Sequence, residues 1–227
     1  YWGMGLTAEA VAKQFKISRE DQDEFSYNSH MKALKAQKER KFDDQIVPIN
    51  VTQTYVDDNN QRCTKEYTVS KDEGPREGTN IKALSKLRAV FSNNGSVTAG
   101  NSSQMSDGAA FTLIMSEKMV NELNLKPIAR MVNYAVAGVE PRIMGIGPVK
   151  AIPKVLNQSG LNLNDISLIE LNEAFASQSV AVINELDLDR DIINVNGGAI
   201  SLGHPLGCTG AKLTVQIIDE MRKRNLN

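Results

Sequence analysis

The chain has 227 residues, 41% hydrophobic and 23% charged, and its 26 basic and 27 acidic side chains leave a net charge of −1. With a mean hydropathy of −0.31, this is an ordinary globular composition with length enough for a real core, and it excludes the bulk basic charge that draws proteins to nucleic acid. No apolar run is long enough to span a bilayer, and Cys63 and Cys208, far apart in sequence, make neither a disulfide framework nor a zinc-type spacing with the two histidines.

A reducing compartment follows, the cytoplasm first, and no metal is expected. The chain opens at Tyr1 without a signal-peptide pattern and without Met, so a missing N-terminal segment is expected and an organellar matrix stays open.

Residues 1–45 read as helical and highly charged. Ala8, Val11, Ala12 and Phe15 form one helical stripe with Thr7 as candidate N-cap, and Ser18 caps a second helix running to about Lys38, with acids in its first turn. His30 lies on that helix among polar residues and reads as solvated or locally hydrogen-bonded. A strand is expected over 42–51 around Ile46-Val-Pro-Ile-Asn-Val51, then a turn-rich excursion from Tyr55 to Thr64 that holds Cys63 with no base nearby in sequence. Ala83 to Phe91 reads as a short amphipathic helix.

After Gly95 a small-residue-rich stretch leads to an apolar run, 109–115, that reads as a buried strand, and Ser116 caps a short helix to about Asn124. From Pro127 strands and helices alternate: strand 128–139, helix 147–158 with Pro148 near its start, strand 166–171, helix 173–185 and strand 191–195. This rhythm predicts an α/β fold with helices packed on a sheet, beside a mostly helical α+β subdomain.

The most informative stretch follows the last strand: Asn194-Val-Asn-Gly-Gly-Ala-Ile-Ser-Leu-Gly-His-Pro-Leu-Gly-Cys-Thr-Gly-Ala211. Its glycines let backbone turn freely, and Pro205 suits a first helical position, so His204 is expected just before a helix start. Ligands in α/β sheets gather beyond the carboxyl ends of strands, and a second loop, Leu171-Asn-Glu-Ala-Phe-Ala176, fits that place too. By local rules alone, Asn172 is an N-cap, Glu173 decorates a first helical turn, and His204 is a surface histidine on a glycine-rich turn.

These two loops together resemble the signature segments of the thiolases. Met4-Gly-Leu-Thr-Ala-Glu, Val97-Thr-Ala-Gly-Asn-Ser-Ser, Ser106-Asp-Gly-Ala-Ala and Met144-Gly-Ile-Gly-Pro extend the resemblance over essentially the whole chain. It implies a layered, partial thiolase-like α/β fold: residues 1–105 part of a CoA-binding loop subdomain, 106–126 the last strand and helix of the N-terminal domain, and 127–227 part of the C-terminal domain.

The resemblance also implies an acyltransferase that cleaves 3-ketoacyl-CoA with CoA, or runs the reverse condensation, through a cysteine-bound acyl group. His204 would activate the thiol and help hold the thioester oxygen, and Asn172 would position a water in that oxyanion hole. Ala99 and Ser103 would lie along the pantetheine arm, Arg76 near the nucleotide end, and Met144 and Phe175 in the acyl and pantetheine pocket. CoA and acyl-CoA would be substrates, no cofactor would be resident, and the full-length enzyme would be a homodimer or homotetramer.

One departure stands out: the acyl-carrying cysteine and the second catalytic cysteine of the thiolases match no position here. Cys208 falls four residues past His204 at a position without a catalytic role in the family, and Cys63 matches nothing catalytic. The chain alone is therefore expected to have no turnover. An acetoacetyl-CoA thiolase and a non-catalytic CoA- or lipid-binding thiolase-like module remain the competing readings.

Overall fold

The computed structural model describes residues 2–226. Helices α1 (Met4–Gln14) and α2 (Arg19–Lys38) come first. A hairpin follows, β1 (Ile49–Val56) and β2 (Arg62–Val69), and then the short helices α3 (Ile81–Leu84) and α4 (Glu117–Glu122). A 3-10 turn, Pro141–Ile146, leads into α5 (Gly147–Ser159), α6 (Ala176–Leu186), α7 (Ala199–Leu202) and α8 (Thr209–Arg224).

α6 is the centre. Every residue from Ala176 to Ile183 is buried. One side of it, Val180 and Ala181, packs with Val11 of α1 and with Ile17, Ile143 and Ile146, while Val182 and Ile183 pack with Leu171, Leu188 and Ile193. Burying side chains of this size stabilises by roughly 1.5–3 kcal/mol each, so these two clusters anchor everything around them. A third cluster joins Ala33 and Ala36 of α2 to Phe42 and Leu202, and so ties α2 to the segment just before His204.

Several expectations hold locally. Ser18 and Asp21 form the reciprocal capping box at the start of α2, which ends at Lys38 as its pattern predicts. Ser116 caps α4, and α5 starts with Pro148 in its first turn. Thr7 is not a cap: α1 begins after Gly3, and the buried Thr7 hydroxyl donates back to the Met4 carbonyl at 2.7 Å.

Other expectations give way to tertiary contacts. The strand placed at 42–51 starts only at Ile49, because Phe42 is buried behind α2. The supposed excursion is instead the end of β1, a turn held by Asp57 accepting the amides of Asn59 and Gln61, and the antiparallel partner β2, paired from Ile49↔Val69 to Val56↔Arg62. The helix expected over 83–91 stops at Leu84, where the Arg19 guanidinium takes the carbonyls of Leu84 (2.7 Å) and Leu87 (3.0 Å). The Leu84 carbonyl also accepts the Leu87 amide at 3.0 Å, so the helix closes in a tight turn capped by the guanidinium.

The runs at 109–115 and 128–139 form no strand. They stay irregular and exposed, with Phe111 90% and Met131 72% exposed, and find no ladder among the described residues. Segments 166–171 and 191–195 pair only through one parallel bridge, Ile169↔Ile193, flanking α6. That strand–helix–strand unit is the part of the α/β arrangement that places the two loops side by side.

Candidate active site

Directly beyond the parallel bridge, Asn194 joins the two loops. Its side-chain oxygen accepts from the Leu171 amide and its side-chain nitrogen donates to the Leu171 carbonyl, both at 2.8 Å. Asn194 takes a left-handed conformation, φ 43°, which asparagine adopts more readily than most residues. The ends of the two strand segments are thereby locked in register.

His204 is held from both sides. Gly203, at φ +87°, turns the chain out of α7, and the His204 amide donates to the Gln104 carbonyl at 2.9 Å. The imidazole Nδ1 lies 2.6 Å from the Thr209 hydroxyl, which itself donates to the Pro205 carbonyl at 3.0 Å. With its only hydrogen committed there, Thr209 accepts at His204, so Nδ1 carries the proton and Nε2 the lone pair. Nε2 faces the side-chain nitrogen of Asn172 at 3.4 Å, the donor that lone pair calls for. The Asn172 Oδ1 is buried without a protein partner among the described residues.

Burial, then the Lys212 ammonium, holds His204 below its ordinary pKa and so neutral at physiological pH. Lys212 donates to the Gly203 carbonyl at 3.0 Å, directly before the histidine. The arrangement offers a neutral, oriented base with a carboxamide beside it, suited to taking a proton from a thiol and then presenting an N–H to a developing oxyanion.

Glu173 is where local rules mislead. α6 begins at Ala176 with Phe175 as its N-cap, so Asn172 caps nothing and Glu173 is not in a first helical turn. The carboxylate is 2% exposed and accepts from Asn194 Nδ2 (2.8 Å), Ser29 Oγ (2.7 Å) and the Ile200 amide (3.1 Å). Pro205 likewise starts no helix, since α8 begins at Thr209; the Pro205 carbonyl receives the amides of Cys208 and Thr209 in a turn before it.

Of the other sequence-derived candidates, Ser103 and Phe175 are tied to the 172–176 loop. The Ser103 amide donates to the Ala174 carbonyl at 3.0 Å, and Asn101 accepts from the Ala176 amide at 2.9 Å, so segment 101–103 lies along 174–176. Phe175 packs edge-on against Phe91 with ring centres 6.1 Å apart. Ala99, Met144 and Arg76 are exposed and have no hydrogen bond to the His204–Asn172 centre.

His30, expected solvated or locally hydrogen-bonded, is 5% exposed, and its Nδ1 accepts from the amide of the sequence-distant Arg76 at 3.2 Å. Sequence reasoning also missed the roles of Thr209, Lys212 and Asn194. Thr209 stood five residues past His204 in the same glycine run, the one signal that pointed to it. No helix among the described residues is long and apolar enough to cross a membrane.

Two family profiles match, "Thiolase, N-terminal domain" over residues 2–118 and "Thiolase, C-terminal domain" over 125–227. The chain belongs to the thiolase family. It is 54% identical over 225 residues to the 3-ketoacyl-CoA thiolase of Bacillus subtilis (strain 168), covering 99% of this chain and 58% of that protein.

The crystal structure of the Bacillus anthracis acetyl-CoA acetyltransferase superposes with a TM-score of 0.92 at 49% identity, over 98% of this chain and 54% of that one. Human mitochondrial 3-ketoacyl-CoA thiolase in complex with CoA superposes with a TM-score of 0.86 at 42% identity, over 98% and 53%. These likenesses establish the thiolase fold and its α/β class. The chain spans about half the length of the relatives it matches.

Proposed function

We propose that the protein carrying this chain is an acetyl-CoA C-acyltransferase that cleaves 3-ketoacyl-CoA with CoA, or condenses acyl-CoAs in reverse. The observation that carries this reading is the His204 Nε2 lone pair set against the Asn172 amide, with Nδ1 anchored on Thr209. His204 takes the proton of a cysteine thiol, and the thiolate attacks the 3-keto carbon. The C2–C3 bond breaks, acetyl-CoA leaves after its enolate is protonated, and the acyl group on sulfur passes to the thiolate of CoA.

Once protonated at Nε2, the same imidazole donates to the thioester oxygen. Asn172 holds a water beside it, for which its buried Oδ1 is the free acceptor. Ala99 and Ser103 border the pantetheine arm, Arg76 the nucleotide end, and Met144 and Phe175 the acyl side. Residues 1–105 act as the CoA-binding loop subdomain, 106–126 as the end of the N-terminal domain and 127–227 as the C-terminal domain. The protein works in the cytoplasm, without a resident cofactor, as a homodimer or homotetramer.

Neither Cys63 nor Cys208 is the acyl carrier in this reading, so residues 1–227 alone turn nothing over. The direct test is CoA-dependent cleavage of acetoacetyl-CoA by the complete protein, with and without His204→Ala. The B. anthracis acetyl-CoA acetyltransferase likeness favours a short-chain substrate as a second reading, and rates across 3-ketoacyl chain lengths separate the two.

A further inference from the structure

We propose that Glu173 is a positioning residue for the His204–Asn172 pair, its buried carboxylate fixing the 194–200 loop against α2 and the end of segment 166–171. This inference rests on the thiolase reading given above. Three donors from three elements converge on that one group: Ser29 of α2, Asn194 of the loop and the Ile200 amide of α7. Asn172 is the residue directly before it in the chain, and His204 follows Ile200 by four residues. Short covalent leads therefore run from the Glu173 carboxylate to both members of the pair.

The surroundings are fitted to that carboxylate. A Cβ on Gly198 would overlap the Glu173 carboxyl group, so the loop backbone comes as close as glycine alone allows. Gly197, at φ +84°, is pressed on Ala33 and the Ser29 carbonyl, where a Cβ would come within 2.7 and 2.8 Å. The Gly198 amide donates to the Ser29 hydroxyl at 3.2 Å, so a single serine serves both the carboxylate and the loop backbone.

A fully buried carboxylate is costly unless it is fully hydrogen-bonded. Plain packing would be served as well by an uncharged side chain of the same shape. Glutamine keeps the shape but must turn its NH2 toward Asn194 Nδ2 or toward the Ile200 amide, donor facing donor, which leaves a buried polar group unsatisfied.

The test uses the complete protein with Glu173→Gln, Ser29→Ala and, in parallel, His204→Ala, reading kcat and KM for CoA-dependent cleavage together with the 15N shifts of the His204 ring. Glu173→Gln is expected to lower kcat about tenfold or more with KM within about twofold, the signature of a misplaced reacting group. Its ring shifts should move from the Nδ1-protonated pattern toward a tautomer average. Ser29→Ala, which deletes one donor at little cost in volume, is expected to show the same two changes at smaller size, and it decides the matter if Glu173→Gln does not fold.

Wild-type kcat and ring shifts in a folded Glu173→Gln, or in Ser29→Ala where that variant decides, would overturn the proposal, and so would a change confined to KM. If His204→Ala keeps full turnover, the thiolase reading of the site fails instead, and the ring shifts alone then decide whether Glu173 positions the histidine.

Discussion

His204 Nδ1 lies 2.6 Å from the Thr209 hydroxyl, which is placed to donate to the Pro205 carbonyl, while the Asn172 side-chain nitrogen faces Nε2; together these contacts fit an imidazole protonated at Nδ1. Thr209→Val keeps the side-chain shape and removes the acceptor. The expected outcome is a mixed tautomer in 15N spectra and a fall in kcat of about tenfold to a hundredfold, the usual range for partners that orient a functional imidazole. The cost in stability should stay modest, about 1 kcal/mol for each of the two part-buried hydrogen bonds lost.

Lys212 and His204 are coupled in charge. Burial lowers the His204 pKa most, and the nearby ammonium lowers it further. Lys212→Met removes that second contribution, so the His204 pKa should rise toward its ordinary value and the acid limb of kcat/KM should move to higher pH. NMR titration of the His204 ring protons, assigned by their loss in His204→Ala, checks it.

His30 reports on the loop that carries Arg76. Its Nδ1 must be unprotonated to accept the Arg76 amide, and burial, then the Arg76 charge, lowers its pKa. A histidine with a lowered folded pKa contributes stability that is present above its unfolded value and lost as pH falls through the folded one. His30→Leu should therefore weaken CoA binding a few-fold by loosening the loop while leaving kcat nearly unchanged, as calorimetric titration with CoA and steady-state kinetics would show.

Glu170 sets a pH dependence of a different sign. Burial, reinforced by the Glu173 charge, raises its pKa to about 8 from an unfolded 4.5. The contribution of such a group is complete below pH 4.5 and is lost as pH rises to about 8, because the unfolded carboxyl ionises first. Glu170→Gln should flatten the fall in melting temperature over that window, and an unchanged slope would assign the pH dependence to other groups.

Much of this was legible in residue order and much was not. The Ser18 capping box and α5 announce themselves because each rests on contacts within a few residues. The apolar runs at 109–115 and 128–139 read as strands, the first of them buried, but they are exposed here: a strand needs a paired neighbour, and none is among the described residues. The β1–β2 hairpin was missed because its residues are largely polar and exposed on both faces.

Glu173 and His30 were misread for one reason: local rules assign a helix-flanking acid or a polar-face histidine to solvent. Here Ser29, Asn194, Ile200 and Arg76, distant in sequence, supply their partners. Asn172 and His204 were legible only as a pair of motifs; their 3.4 Å juxtaposition is a product of the Ile169↔Ile193 bridge and the Asn194 clamp.

The rejection of Cys208 can be checked separately. Its backbone serves the start of α8, and its carbonyl accepts the Lys212 amide at 3.0 Å. Cys208→Ser in the complete protein should keep turnover within about twofold, the range expected for a substitution away from buried networks. Loss of the acyl-enzyme in that variant would make Cys208 the carrier after all.

The proposal that His204 and Asn172 form the reacting half of a thiolase site is tested by steady-state cleavage of acetoacetyl-CoA by the complete protein, its His204→Ala variant and its Asn172→Ala variant. Robust CoA-dependent cleavage by the wild type is expected, with a loss of kcat of about a hundredfold or more in each variant and KM for CoA little changed. Wild-type kcat in the His204→Ala variant, or an effect seen only in KM, would contradict it.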